Sequence, residues 1–357
     1  MNQATNLAVN RAAQKFLGLA ALLALVMLLN GCGKAPVTQQ QSYVFGTLVE
    51  VTIAGEPAQR ARQLAGKVFA EFDRLHHEFH AWQPGPLQQL NAALAAGKPY
   101  AADAQMLAVL QDARRWADRS GQRFNPAIGG LIGLWGFHAD EFVPHLPDTG
   151  QINHWVQARP TLDDLAFDGN TVSSRNRAVQ IDLGGYAKGY ALDRAAAILR
   201  AAGVRNALIN IGGNVLALGT RDGEPWRVGI RHPRENAPMA VLALHDGEAI
   251  GTSGDYQRYF ELGGQRYCHL IDPANGWPAQ GVWAATVLAE PGPQAGVLSD
   301  VASKPVFIGG VADFPRTAQS MGVTALLVDD KGAVQVSESL YRRLEWVVRP
   351  KSIKVWP

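Results

Sequence analysis

The chain has 357 residues, 47% of them hydrophobic, with 37 glycines, two cysteines and a formal net charge of +2. That length and apolar content suffice for one large packed domain or two closely joined lobes. The near-balanced charge, with no clustered run of Lys and Arg, excludes a nucleic-acid surface, and the absence of any repeat excludes solenoids and propellers.

At the N-terminus, Arg11 and Lys15 precede an apolar run from Phe16 to Leu29 that is too short for a comfortable membrane span and reads as a signal peptide. The run ends in Leu29-Asn30-Gly31-Cys32, which resembles the bacterial lipobox. Residues 1–31 are therefore expected to be removed and Cys32 to carry lipid. That would leave the chain membrane-anchored on the periplasmic side of a bacterial cell envelope, in the inner or the outer membrane. An uncleaved anchor helix is the alternative, and either reading tethers the chain outside the cytoplasm. With Cys32 lipidated, Cys268 has no disulfide partner, so stability must come from a packed core.

Residues 32–42 read as a polar linker, and 43–357 as the functional domain. Tyr43 to Ile53 alternates as one strand. From Ala58 to Phe79, Ala61, Leu64, Ala65, Val68, Phe72, Leu75 and Phe79 recur at helical spacing. His76, His77 and His80 on this helix lack a third ligand and the HExxH spacing, and read as a solvated face. A second helix is predicted from an Asp103 N-cap to a Gly121 stop, and a third over Ala187 to Arg200. Phe137 to Arg159, rich in His, Pro and Asp, reads as a surface loop. Short β-rich runs follow at Ala207–Ile211, Trp226–Ile230, Met239–Leu244, Tyr267–Ile271, Ala284–Leu288 and Thr324–Val328. The fold class is α+β.

Four segments can carry chemistry. In Asp182-Leu-Gly-Gly-Tyr-Ala-Lys-Gly-Tyr-Ala-Leu-Asp193, paired glycines lead into a helix whose first turn holds Lys188. Orphan amides, the helix dipole and an ammonium together favour an anion such as a phosphate, although a plain strand-to-helix turn has the same pattern. Asn210-Ile-Gly-Gly-Asn214 follows a buried-strand pattern, and Gly251-Thr-Ser-Gly-Asp-Tyr256 combines hydroxyls with a backbone free to approach a ligand, while each alone is also compatible with a β-turn. His269-Leu-Ile-Asp-Pro-Ala-Asn-Gly276 sets His269 and Asp272 around a strand end. His269 has an unperturbed pKa suited to moving a hydroxyl proton, or is simply hydrogen-bonded there. Cys268 beside it points to the opposite face of the strand and reads as a buried inert thiol.

These segments, with Phe45-Gly-Thr47, Leu90-Asn91, Phe124-Asn-Pro126, Leu134-Trp-Gly-Phe137, Pro225-Trp-Arg-Val-Gly-Ile230 and Ser299-Asp300, resemble the ApbE-type family of FAD:protein FMN transferases over most of the chain. The resemblance implies T-fold-related mixed sheets packed with helices. It also implies a reaction: a Ser or Thr hydroxyl of a redox or respiratory-complex protein attacks the FMN-side phosphorus of FAD, and AMP leaves. It puts the flavin and diphosphate against Phe45, Trp82, Arg123, Phe124, Asn125, Gly184, Lys188, Tyr190 and Leu270. Mg²⁺ would sit between the Ala187 carbonyl and the side chains around Asp300.

Where the family follows that Asp with a Thr ligand four residues on, this chain has Lys304, then Pro305. An ammonium cannot ligate a cation, and Pro305 disfavours a continuing helix, so the local turn is expected to differ. Either Ser303 supplies the hydroxyl and a metal binds, or the Lys304 ammonium occupies the cation's place. On the second reading the chain is a catalytically weak FAD-binding lipoprotein.

Overall fold

A computed structural model describes residues 35–139 and 141–357, of which Val37–Pro357 form one unit. The signal segment and Cys32 lie outside the described residues, among which no helix is long and apolar enough to cross a membrane. The architecture is α+β, built on a nine-stranded sheet. Its strands, in spatial order, are Val37–Val44, Thr47–Ala54, Asn206–Ile211, Asn214–Leu218, Ala249–Gly254, Val282–Ala289, Thr324–Asp329, Val334–Ser337 and Ile353–Trp356. All neighbours are antiparallel except the last pair.

Period-two alternation sends side chains to two cores. Along the Val282–Ala289 strand, Ala285, Val287 and Ala289 face one core and Ala284 and Leu288 the other. The first core is closed by three helices: Ala58–Phe79, Ala187–Ala201 (the Lys188 helix) and Ala295–Met321 (the Asp300 helix). The second is closed by a three-stranded sheet of Leu344–Trp346, Pro238–Leu244 and Trp226–Arg231. Every apolar residue of the stripe predicted on the Ala58–Phe79 helix is buried. The Asp103 carboxylate caps the Ala104–Arg119 helix through the Met106 N–H at 2.7 Å, as predicted.

Several expectations are corrected. The stretch taken as linker and single strand is a hairpin, Val37–Val44 paired with Thr47–Ala54. Phe45 and Gly46 form its two-residue turn with φ of 57° and 68°, the left-handed pair that a tight hairpin requires. The expected loop at Phe137–Arg159 contains the helix Thr149–Ala158, capped by Asp148 and anchored by buried Ile152. Gly251 to Gly254 lie within a central strand, Ala249–Gly254, and not in a turn. The strand leading to His269 ends at Cys268.

The chain also stays helical through Lys304 and Pro305, with its break later, at Gly310. Pro305 forfeits one backbone hydrogen bond. Val301, Ala302, Val306 and Phe307 are buried on both sides of it, and that burial outweighs the loss.

Candidate active site

Asp182 shapes the glycine turn. Its Oδ1 accepts the Gly184 N–H at 2.8 Å, and its Oδ2 accepts the Trp82 indole N–H at 2.9 Å. The N-cap residue of the Lys188 helix, Tyr186, makes no side-chain cap bond, but the Ala187 N–H donates to the Leu183 carbonyl at 2.8 Å, so attraction for an anion at this end rests chiefly on Lys188.

Gly189 brings this helix into backbone contact with the Asp300 helix. A Cβ there would lie 2.4 Å from the Gly296 carbonyl oxygen and 2.7 Å from Asp300 Cβ. The Gly189 N–H donates to Asp300 Oδ2 at 2.9 Å. On the opposite side Gly251 admits the Ser299 carbonyl, which a Cβ would meet at 2.4 Å. Asp300 is thus clamped between helix and sheet, with 0% exposure.

A carboxylate so buried requires partners. Lys304, one turn on, pairs with Asp300 Oδ1, and its Nζ also donates to the Asp300 carbonyl oxygen at 2.7 Å. The lysine stem lies against the glycine turn, where a Cβ on Gly185 would be 3.3 Å from Lys304 Cε and 3.4 Å from the Phe124 ring. Ser303 Oγ donates to the Asp300 carbonyl oxygen at 2.8 Å and shares a 2.8 Å hydrogen bond with Ser253 Oγ.

Cations dominate the electrostatics. Burial pulls the Lys188 ammonium below its usual pKa, with Asp300 opposing and Lys304 and Arg258 adding to the effect. Burial, then Arg258 and Lys188, with Lys304 adding a smaller push, hold His269 down to about 3, so the ring is neutral at neutral pH. Its backbone N–H and its Nδ1 both meet the Arg258 carbonyl, at 3.0 and 3.2 Å. A carbonyl only accepts, so Nδ1 carries the proton and Nε2 keeps its lone pair. Arg258 itself is fixed by the Phe137 and Ala139 carbonyls, at 2.8 and 3.1 Å. Sequence reasoning passed over it, because a lone Arg between two motifs carries no pattern.

Gly184, Ala187, Lys188, Phe124, His269, Asp300 and Ser303 are therefore brought together, with Lys304 and Arg258 added. Leu270 is buried next to His269, its carbonyl accepting the Ala279 N–H at 2.8 Å. Trp82 adjoins the turn through Asp182, with its ring 5.0 Å from His138, and borders a cavity of about 320 Å³ shared with Asn91, Trp155 and Gln180. Phe45 packs on Phe72 and His76 at the hairpin turn.

Three predicted residues have structural partners. Arg123 pairs with Asp313 and contacts Thr317 at 3.3 Å, Asn125 bonds the Pro160 carbonyl at 3.0 Å and the Ala127 N–H at 2.9 Å, and Tyr190 stacks on Tyr186. His80 Nδ1 accepts the Trp82 and Gln83 amides at 3.1 and 3.0 Å and so serves the backbone. Burial pushes the Cys268 thiol up to about 12, which makes it inert.

These residues do not fit a divalent cation. Mg²⁺ needs hard oxygen ligands with lone pairs directed at it. Both Asp300 oxygens are taken by N–H donors, Ser303 Oγ is committed to Asp300 and Ser253, and an ammonium occupies the remaining side.

The profile of the ApbE family matches residues 45–327. The FAD:protein FMN transferase of Rhodobacter capsulatus is 43% identical over 314 residues, which cover 88% of this chain and 59% of that relative. The chain thus spans little more than half of that longer protein. The FAD:protein FMN transferase of Salmonella typhimurium is 30% identical over 287 residues, covering 76% of this chain and 81% of the relative. Among solved structures, the ApbE protein of Thermotoga maritima superposes with a TM-score of 0.79 at 28% identity, covering 86% of this chain and 99% of its own. The flavin transferase ApbE from Vibrio cholerae does so at 0.74 and 25%, covering 87% and 99%.

Proposed function

The chain belongs to the ApbE family, and from that premise we propose that it is an FAD:protein FMN transferase. It moves the FMN half of FAD onto a Ser or Thr hydroxyl of an extracytoplasmic redox or respiratory-complex protein. The observation that carries this reading is the cationic glycine turn, where Lys188, Lys304 and Arg258 surround one neutral histidine. A diphosphate suits that field, and the Trp82 ring, joined to the same turn through Asp182, suits an isoalloxazine.

The acceptor oxygen bonds to the FMN-side phosphorus, the bond from that phosphorus to the bridging oxygen breaks, and the bridging oxygen departs on AMP. The hydroxyl proton passes to His269 Nε2 and then to the AMP phosphate, returning the ring to its neutral form. The Lys188 ammonium stabilises charge on the phosphoryl oxygens as it builds. The chain acts from the periplasmic side of the envelope, held by lipid on Cys32, a reading supported by the Leu29-Asn30-Gly31-Cys32 sequence.

The test is to incubate the full chain with FAD and the envelope proteins of a strain lacking its gene. A flavin-fluorescent band should appear on denaturing gels with equimolar AMP released. FMN has no anhydride to break and should label nothing. Labelling by FMN, or labelling without AMP, would sink the reading. In the same fractions the Cys32→Ser chain should appear with its signal uncleaved, and normal processing of that variant would remove the lipid anchor.

A further inference from the structure

Opening a phosphoanhydride requires positive charge at the oxygens that take up charge, and a divalent ion is the usual source. Beside Asp300 that place is filled by a side chain. We infer that the Lys304 ammonium is the resident cation of the diphosphate site, standing where a divalent ion would stand, so that FAD is bound and cleaved without a metal. The inference rests on the transferase reading and concerns how the same site works.

Lys304 has the required position and rigidity. Its pairing with Asp300 at i, i+4 lies on one helix face, and its stem is packed against Gly185 of the glycine turn. An ammonium has three N–H donors. Two are satisfied by Asp300, through its carbonyl and Oδ1, and the third remains for a phosphate oxygen. Charge is matched as well. Lys188, Lys304 and Arg258 act together on His269, with Asp300 the carboxylate that acts on Lys188. This grouping of cations suits the negative diphosphate of a dinucleotide, and without Lys304 the Asp300 carboxylate would be left unpaired beside it. The lysine accordingly changes the source of the positive charge rather than abolishing transfer.

The experiment measures FAD binding by flavin fluorescence, and AMP release with the envelope acceptor fraction, in EDTA and in millimolar Mg²⁺. In EDTA the wild-type chain should bind FAD and release AMP within about twofold of its values in Mg²⁺. Lys304→Thr should lose about tenfold or more in FAD affinity in EDTA and recover it with Mg²⁺, while riboflavin, which has no phosphate, binds both chains alike. Loss of wild-type AMP release in EDTA, or a Lys304→Thr chain that keeps full FAD affinity there, overturns the assignment. FAD binding that is indifferent to EDTA but yields no AMP in any condition removes the transferase reading and leaves Lys304 as the site's cation. A wild-type chain that binds no FAD overturns both.

Discussion

A histidine can accept a hydroxyl proton only if it is unprotonated when the hydroxyl arrives. His269 is kept so by burial and by three cations, and its tautomer is fixed by the Arg258 carbonyl. His269→Gln retains a group able to donate to that carbonyl but removes the basic lone pair. Transfer should therefore fall about 10²- to 10³-fold in kcat with FAD affinity changed by less than about threefold. Because the free ring's pKa lies below its ordinary value, the acid limb of kcat/KM for the wild-type chain should fall below pH 6.5. Single-turnover labelling beside FAD titration checks both, and an unimpaired Gln variant would make His269 a purely structural residue. His269 and Lys188 were legible in the sequence because each sits in a motif with glycine or carboxylate neighbours, and Asp300 through the resemblance of Ser299-Asp300 to the family pattern. Lys304 was legible as a departure from pattern. What it does was not, since only the fold sets its stem on Gly185.

At the scale of elements, the site exists because two helices and a strand approach more closely than side chains normally allow. Gly189 and Gly251 remove the obstruction on either side of Asp300. Gly189→Ala would drive a methyl into the Gly296 carbonyl and Asp300 Cβ, and neither is the end of a flexible chain. The expected result is a loss of about 3 kcal/mol in stability, read as a lower urea midpoint. FAD binding should also weaken, because the Gly189 to Asp300 hydrogen bond is broken. A variant as stable as the wild type would show that the helices slide apart without cost. Helices with an uninterrupted apolar stripe or a good cap, such as Ala58–Phe79 and Ala104–Arg119, could be read from sequence. The Asp300 helix could not, because Pro305, Pro315 and Gly310 break every local signal while burial keeps it helical through Pro305 as far as its break at Gly310. The same holds for Thr149–Ala158, whose ten residues offer only one fully buried side chain, Ile152, with Trp155 and Val156 partly buried beside the same core.

For the whole molecule, the α+β class followed from the order of apolar periods, but the joining of strands as distant as Thr47–Ala54 and Asn206–Ile211 did not. Register between remote strands depends on which faces become buried, and that is settled only when the sheet is assembled. The packing around the site also sets the acid response, through two half-buried groups whose pKa values shift in opposite senses. His269 has its pKa lowered from 6.5 to about 3, so its contribution to stability is complete above pH 6.5 and is lost as pH falls, when the unfolded chain takes up the proton. Asp193 caps the Asp300 helix through the Gly296 and Val297 amides, at 2.8 and 2.9 Å. Burial nevertheless raises its pKa from 3.8 to about 7, so its contribution is complete below pH 3.8 and is lost as pH rises through about 7. Each group alone would give a slope of up to about 1.4 kcal/mol per pH unit, and between pH 3.8 and 6.5 the two slopes cancel. Single variants should therefore uncover what the wild type hides. Relative to wild type, His269→Gln should gain stability progressively as pH falls below 6.5, and Asp193→Asn should gain it as pH rises toward 7, each on top of a constant offset. Urea midpoints taken at intervals across that range measure both trends. Two difference curves with slopes of the same sign would mean that the folded state does not hold the histidine deprotonated and the carboxyl protonated across that range.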